Sequence, residues 1–448
     1  MIPNIGELAV MQSKFDYNQS RKNQWKSRRF DAMEYYKGDT NQFTSKYFSA
    51  STLSKIVVGN VNVTKRVIDR ISLVYMTPPK RTYTNEQAPE YFVDKDFKLQ
   101  RLERLTNLLD SVLLKPCWRV KDDGTGCIEY DIIWDYEMIF DDMDPLRPTA
   151  VIYPIAKKST VLDTTPEMFA YWDADNHMVF DKSGKMYTED DNPDMINPYG
   201  RLPFVECFRE GRPEFDYLDT NPSLDLIATN ESINVAESNK AANVMFQSFG
   251  YLFVNGSGID PSDMNVGQDK INFLGVDGSI SIVSPPNAIP ALDESIKSSY
   301  KLLSQNYHLP TSFVDGTAAE SGVALRLRNQ ELQDDRKSDV TRWRDIEYKL
   351  FELESLIVAV EQGKDLGDLE DIDYHESVDI LSDKEQREKW DWELSHGLID
   401  KADILMQRNP DLTRDEAEDF LFERQDVEME TEEETGNVLL KALAKPTE

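Results

Sequence analysis

The chain has 448 residues, 40% apolar and 10% aromatic, enough to bury a sizeable core and to build two or more structural units. It carries 82 acidic against 50 basic residues, a formal charge of −32, so the molecule as a whole repels nucleic acid and should be very soluble. Its three cysteines, Cys117, Cys127 and Cys207, are widely spaced without a CxxC pair, which excludes a disulfide framework and fits small core residues in a reducing compartment.

The first residues, Met1-Ile-Pro-Asn-Ile-Gly-Glu7, lack the basic and apolar regions of a signal peptide. No segment approaches the roughly 18 consecutive apolar residues of a membrane helix. An intracellular chain, without a membrane partner, is therefore expected. Residues 1–20 are polar and weakly patterned and read as an arm. A basic helix is predicted over Ser20–Tyr36, with Gly38 as its C-cap. From Asn60 to Met76, Val63, Val67, Ile71 and Val74 form a helical stripe that Thr77-Pro78-Pro79 stops. From Phe92 to Leu114, Leu102, Leu105, Leu108, Leu109 and Val112 face one way on another helix.

The register then changes to short segments rich in β-branched and aromatic residues: 118–121, 127–134, 150–154, 168–172 and 177–180. The cluster Asn197–Pro203 closes this β-rich region, and a helix follows over Pro222–Ser248. Next comes a compact αβ module with Asp277-Gly278 as a hairpin turn, and after Pro285-Pro286 a helix with Leu292, Ile296, Ser299, Leu303 and Tyr307 on one face. A Pro- and Gly-containing loop from His308 to Gly322 leads into a long charged helix. There Trp343, Ile346, Leu350, Leu353, Ile357 and Val360 repeat like a heptad seam. Residues 372–378 read as a strand, and Ser382–Glu385 and Thr413–Glu416 as capping boxes. Between Arg414 and Glu434 there are 11 acids and 2 bases, a solvated terminal stretch.

Chemistry-bearing patterns are scarce. His177, His308, His375 and His396 lack metal-ligand spacing, and Asp141, Asp142 and Asp144 suit a turn better than a magnesium site. Asp123-Gly124-Thr125-Gly126 has no phosphate-loop lysine and reads as a hairpin turn. No nucleophile elbow or Cys/His pairing stands out, so nothing points to an enzyme. Lys240, Lys297, Lys301, Arg326 and Arg328 on the long helices could meet a phosphate backbone, or be ordinary solvated faces with i,i+4 partners.

The order of elements resembles the portal proteins of tailed bacteriophages, of the siphophage type. Tyr35-Tyr-Lys-Gly38 is similar to that family's Tyr-Tyr-x-Gly, and Asn62–Pro79 to its segment ending in a proline pair. The helix Leu224–Ser248, with Asn230, Asn234 and Asn239, resembles the stretch leading into the family's clip. Ser321-Gly-Val-Ala-Leu-Arg326 resembles its Ser-Gly-x-Ala-Leu-Lys, with Arg for Lys. Glu393–Asp400 followed by Glu416-Ala-Glu418 resembles its C-terminal helices.

The resemblance implies an α+β portal fold with a β-rich wing, helical stem, small αβ clip and helical crown. It would assemble as a ring, usually a dodecamer, at one capsid vertex of the virion after assembly in the host cytoplasm. The implied parts are an arm (1–20), wing (21–221), stem helix (222–249), clip (250–286) and second stem helix (287–307). A tunnel loop (308–320), long helix and rest of the wing (321–381), crown (382–425) and acidic tail (426–448) complete the chain. Implied DNA-facing loop residues are Thr311, Ser312, Phe313, Val314, Asp315 and Glu320; channel-lining bases are Lys297, Lys301, Arg326 and Arg328. Implied partner-binding clip residues are Asn255, Asp260, Asp263 and Asp277.

The implied partners are further copies of the chain, double-stranded DNA, the terminase large subunit, major capsid and scaffolding proteins, and a head-completion adaptor. No catalytic residue, cofactor or metal is implied. Apolar seams such as Trp343–Val360 would suit contacts with neighbouring subunits. The competing expectation is an acidic structural adaptor or scaffold without a DNA channel.

Overall fold

The computed structural model describes residues 19–39, 43, 46–54, 56–141, 143–144, 146–155, 168–188, 192–214, 217–218, 223–249, 251–255, 279–283, 287–309, 322–375, 383–408, 413–414 and 416–422. It is mixed α and β. Two compact units emerge: Met1–Thr317 with Asn329–Glu376, and Ala318–Arg328 with Ser377–Glu448.

In the first unit, α1 (Gln19–Lys37) ends where Gly38 turns left-handed at φ +84° and donates back to the Glu34 carbonyl at 3.0 Å. After the short α2 (Ala50–Leu53) comes α3 (Val63–Ile71), whose first turn is capped by the Asn62 side chain accepting from Lys65 N–H at 2.9 Å. The sequence pattern carries α3 on to Val74, but the helix stops at Ile71. The reason lies in the next helix: the buried Glu103 carboxylate accepts the Val74 and Tyr75 amides at 2.9 and 3.1 Å, pulling them out of helical pairing.

Strand β1 (Lys80–Tyr83) precedes α4 (Lys95–Leu109), on which Leu102, Leu105, Leu108 and Leu109 are buried as the spacing predicts. Val112 is buried too, but from a strand. Asp110 adopts φ 67° and ends α4, and the chain leaves directly as β2 (Ser111–Val120). Residues 121–125 form the expected hairpin turn, with Gly124 at φ +80°, into β3 (Gly126–Ile133). The Asn197–Pro203 cluster does not close the β region. Strand β9 (Val205–Phe208) follows it and pairs with residues 111–114 of β2, giving the sheet order β3-β2-β9. Pro116 falls just beyond that pairing, where β2 has a neighbour only on the β3 side and a missing N–H costs little.

A second antiparallel sheet, in sequential order, comprises β4 (Glu137–Phe140), β5 (Pro148–Pro154), β6 (Met168–Asp173), β7 (His177–Asp181) and β8 (Met186–Tyr187). Asp141 and Asp144 sit in the turn before β5, accepting the amides of Met143 and Leu146 at 2.8 and 3.1 Å.

Helix α5 (Leu224–Phe249) leads to β10 (Tyr251–Asn255), which pairs with β11 (Ser279–Val283), and α6 (Ile289–Asn306) returns. Asp277-Gly278 lies outside the described residues. Helix α7 (Gly322–Gln362) is about 60 Å long at 1.5 Å per residue. Its Trp343, Ile346, Leu350, Leu353 and Ile357 are buried, whereas Val360 is exposed. This corrects the expectation of a seam for neighbouring subunits: the seam is filled by the chain's own core, with Val67 and Ile68 of α3, Leu99 of α4 and Ile372 of β12 (Leu369–Asp373) in the same cluster. Strand β12 starts three residues before the predicted segment and pairs antiparallel with β1.

The second unit contains α8 (Asp383–Ser395), ended by Gly397 at φ +67°, α9 (Lys401–Arg408) and a helical segment at 416–422. Glu416 accepts Thr413 N–H at 2.9 Å, and Thr413 Oγ1 accepts Glu416 N–H at 3.5 Å, the two arms of a capping box.

Candidate functional site

Helices α5 and α6 form an antiparallel finger tipped by the β10–β11 ribbon. Two polar ties set its register. Near the base, Tyr307 Oη donates to Asp225 at 2.8 Å; fifteen residues along α5, Lys240 Nζ meets Asp293 of α6 at 2.7 Å. The ties lie about 22 Å apart along the helices. Lys240 is thereby removed from the candidate phosphate-facing residues.

The finger is rooted in the main core along its inner half. Leu226, Ile227 and Ile233 of α5, with Ile296 and Leu303 of α6 and Tyr307 just beyond it, are buried there. Between Val235 and Val244, Ser238 is the one buried residue. Beyond Ser238 and Ile296 no described residue of the two helices is buried, and the apolar Val244 there is 47% exposed. Lys297 and Lys301 sit one turn apart on the exposed face of α6. Arg326 and Arg328 occupy the first turns of α7, their side chains outside the described residues. Thr311, Ser312, Phe313, Val314, Asp315 and Glu320 also lie outside them, as do Asp260, Asp263 and Asp277; Asn255 is the last residue of β10.

The root of the 308–320 segment is well defined. His308 takes φ 49°, and its Nδ1 lies 2.6 Å from the Asp335 carboxylate. That hydrogen bond to Asp335 raises the imidazole pKa. Leu309 is buried and donates to the Ser304 carbonyl at 2.9 Å.

Along the other side of α5, Asn230, Asn234 and Ser238 recur every four residues and read the backbone of the segment 59–63 that leads into α3. Asn230 Oδ1 accepts Val63 N–H at 3.0 Å, and Ser238 Oγ accepts Gly59 N–H at 2.8 Å. Asn234 both accepts Val61 N–H at 2.6 Å and donates to Val61 C=O at 3.1 Å. A Cβ on Gly59 would lie 2.8 Å from Glu237 Cβ and 2.9 Å from the Asn234 carbonyl, so only glycine permits this approach. The i,i+4 spacing of Asn230 and Asn234 is visible in the sequence; the strap they hold is not.

Helix α7 carries two fully buried carboxylates. Glu347 takes two hydrogen bonds from Arg81, the longer at 3.1 Å, and one each from Tyr75 and Tyr374 at 2.8 and 2.9 Å. Burial would push the Glu347 carboxyl up, but the Arg81 guanidinium outweighs it and holds it below its usual value. Glu354 meets Lys95 Nζ at 2.7 Å and Tyr130 Oη at 2.5 Å. Glu103, with two amides but no cation within hydrogen-bond reach, is pushed by burial to a pKa of about 7.

Among the described residues no three His, Cys, Asp or Glu side chains gather to hold a metal, and no helix is long and apolar enough to cross a membrane. His177 stacks on Trp172 at 3.7 Å, and Cys117, Cys127 and Cys207 are buried thiols. An open cleft between β9 and α7 is lined by Arg212, Glu206, Arg342 and Lys349. Three of its cations are paired: Arg212 with Glu206 at 3.5 Å, Arg342 with Asp339 at 2.8 Å and Lys349 with Asp345 at 2.6 Å. No model of a known protein family matches the chain, and no curated protein matches it either.

Proposed function

We propose that this chain is the subunit of a phage portal, a ring-shaped channel at one capsid vertex through which double-stranded DNA is packaged and later ejected. In this reading the finger is the stem, its ribbon tip belongs to the clip that docks terminase and head-completion proteins, and residues 308–320 form the tunnel loop. The observation that carries it is the finger itself. Two helices tied at Asp225–Tyr307 and Lys240–Asp293 stand on a core that reaches along their inner half and leaves the outer half exposed, so their outer faces suit burial between neighbouring copies.

The charge fits the same role. A chain of net charge −32 offers passing phosphates little to grip, while paired lysines such as Lys297 and Lys301, repeated by symmetry, would guide the duplex without trapping it. The α7 seam belongs to the subunit's own spine, so neighbours would meet through other surfaces.

Negative-stain imaging of the purified protein tests the reading. Rings with a stain-filled centre are expected; a monomer or a compact particle without a channel would favour an acidic adaptor instead. Purified protein should not turn over ATP, the motor being a separate polypeptide, and Lys297→Glu/Lys301→Glu should slow packaging. Sustained ATP hydrolysis would overturn the proposal.

A further inference from the structure

We infer that the exposed face formed by α3 and α4 is one half of the contact between copies, and that it takes the acidic β12 segment of the next subunit. This rests on the ring reading and specifies its chemistry. On α3, Arg66 and Arg70 are exposed one turn apart. On α4, Phe97, Arg101 and Arg104 follow one stripe at i, i+4 and i+7. The two helices are joined through Asp69, which pairs with Lys65 of α3 and lies 3.5 Å from Arg104. Gln100 donates to the Tyr75 carbonyl at 3.2 Å, which brings Met76 beside α4. Phe97 and Met76 are each 64% exposed.

A face of three exposed arginines, a phenylalanine and a methionine, with Lys65 and a half-buried Arg104 held by Asp69, is rich in the Arg, aromatic and Met side chains enriched in protein–protein contacts. A phosphate backbone would leave Phe97 and Met76 without partners. In a chain of net charge −32 such a basic face is complementary to a second copy of the chain. The same unit presents a matching surface: Asp365, Asp368, Glu370, Asp371 and Asp373 are exposed, while Leu369 and Ile372 point into the core. A closed ring needs two different surfaces on each subunit, and these two have opposite charge.

The test is charge reversal followed by light scattering and sedimentation across protein and salt concentration. Arg66→Glu/Arg70→Glu/Arg101→Glu should raise the concentration for half-assembly on the order of 100-fold, with circular dichroism unchanged and the chain still folded. Adding Asp368→Lys/Glu370→Lys/Asp371→Lys in the same chain should restore assembly. A wild type that assembles beside a triple variant that assembles equally overturns this inference and leaves the ring standing. A wild type that stays monomeric throughout overturns both. Loss without restoration overturns the β12 segment as the occupant. Loss of duplex DNA retention with assembly intact overturns the assignment in favour of a nucleic-acid face. Should the triple variant misfold, Arg101→Cys/Glu370→Cys provides the second reading: oxidation of assembled protein should give a covalent ladder, and its absence refutes the contact.

Discussion

Asn234→Ala isolates the strap that holds the segment 59–63 against α5. The substitution removes both bonds between Asn234 and Val61, 2.6 Å from the amide and 3.1 Å to the carbonyl. A typical hydrogen bond contributes about 0.5–1.5 kcal/mol net, so the pair contributes about 2 kcal/mol. Val61 is 38% exposed, which lets water reach the freed groups and keeps the loss near that figure rather than at the full desolvation cost. The flanking rungs at Gly59 and Val63 remain, so the loss should be local. Amide exchange of residues 57–63 should accelerate roughly 30-fold, the equivalent of about 2 kcal/mol in local opening, with a smaller fall in melting temperature. Asn234→Asp should be worse, because a buried carboxylate would face the Val61 carbonyl. Exchange in this segment unchanged within about threefold in the alanine variant would refute the strap.

Four other outcomes follow from the buried charges, caps and turns. Arg81→Met should cost about 3–5 kcal/mol in urea unfolding by stranding Glu347, and adding Glu347→Leu should recover part of it. Glu103 binds its proton more tightly folded than unfolded, so its stabilisation is complete below about pH 4.5 and is lost as pH rises through about 7. The stability of wild type relative to Glu103→Gln should fall by about 2–3 kcal/mol between pH 5 and pH 8. The hydrogen bond to Asp335 raises the His308 pKa, so its contribution at the root of the 308–320 segment is present below the ordinary imidazole pKa and fades as pH rises through the raised one; exchange at Leu309 should increase there, and His308→Ala should abolish the pH dependence. Gly59→Ala should lower the melting temperature and speed exchange at Val61, since its Cβ meets α5 backbone at 2.9 Å.

The amphipathic helices were legible because their pattern is local: the leucines of α4 and the α7 seam from Trp343 to Ile357 are buried where their spacing puts them. The hairpin turn at 121–125 was legible for the same reason, its chemistry lying in five consecutive residues. Pairings across long sequence distance were not. Strand β1 finds β12 almost three hundred residues later, and β9 looks like the tail of a turn cluster until β2 is there to pair with it. Nothing local to Glu103, Glu347 and Glu354 announces that Arg81, Lys95 and two backbone amides will meet them. On the candidate site, α5, α6 and the exposed Lys297 and Lys301 were anticipated, whereas the pairing of Lys240 and the mixed face on α3 and α4 needed three dimensions.

The spacing of Glu347 and Glu354 has a consequence for how α7 is kept in place. Glu361 repeats the same interval, and so do Trp343, Leu350 and Ile357, and again Ile346, Leu353 and Val360. Sliding the helix by seven residues, about 10.5 Å, would therefore seat a carboxylate opposite Arg81 and another opposite Lys95, with apolar groups again along the seam. Charge and hydropathy alone cannot tell the two registers apart. Size does: Trp343, buried edge-on against Tyr75 at 5.3 Å, fills a seat that Leu350 would leave partly hollow. One indole is thus the key that gives a repetitive helix a single position.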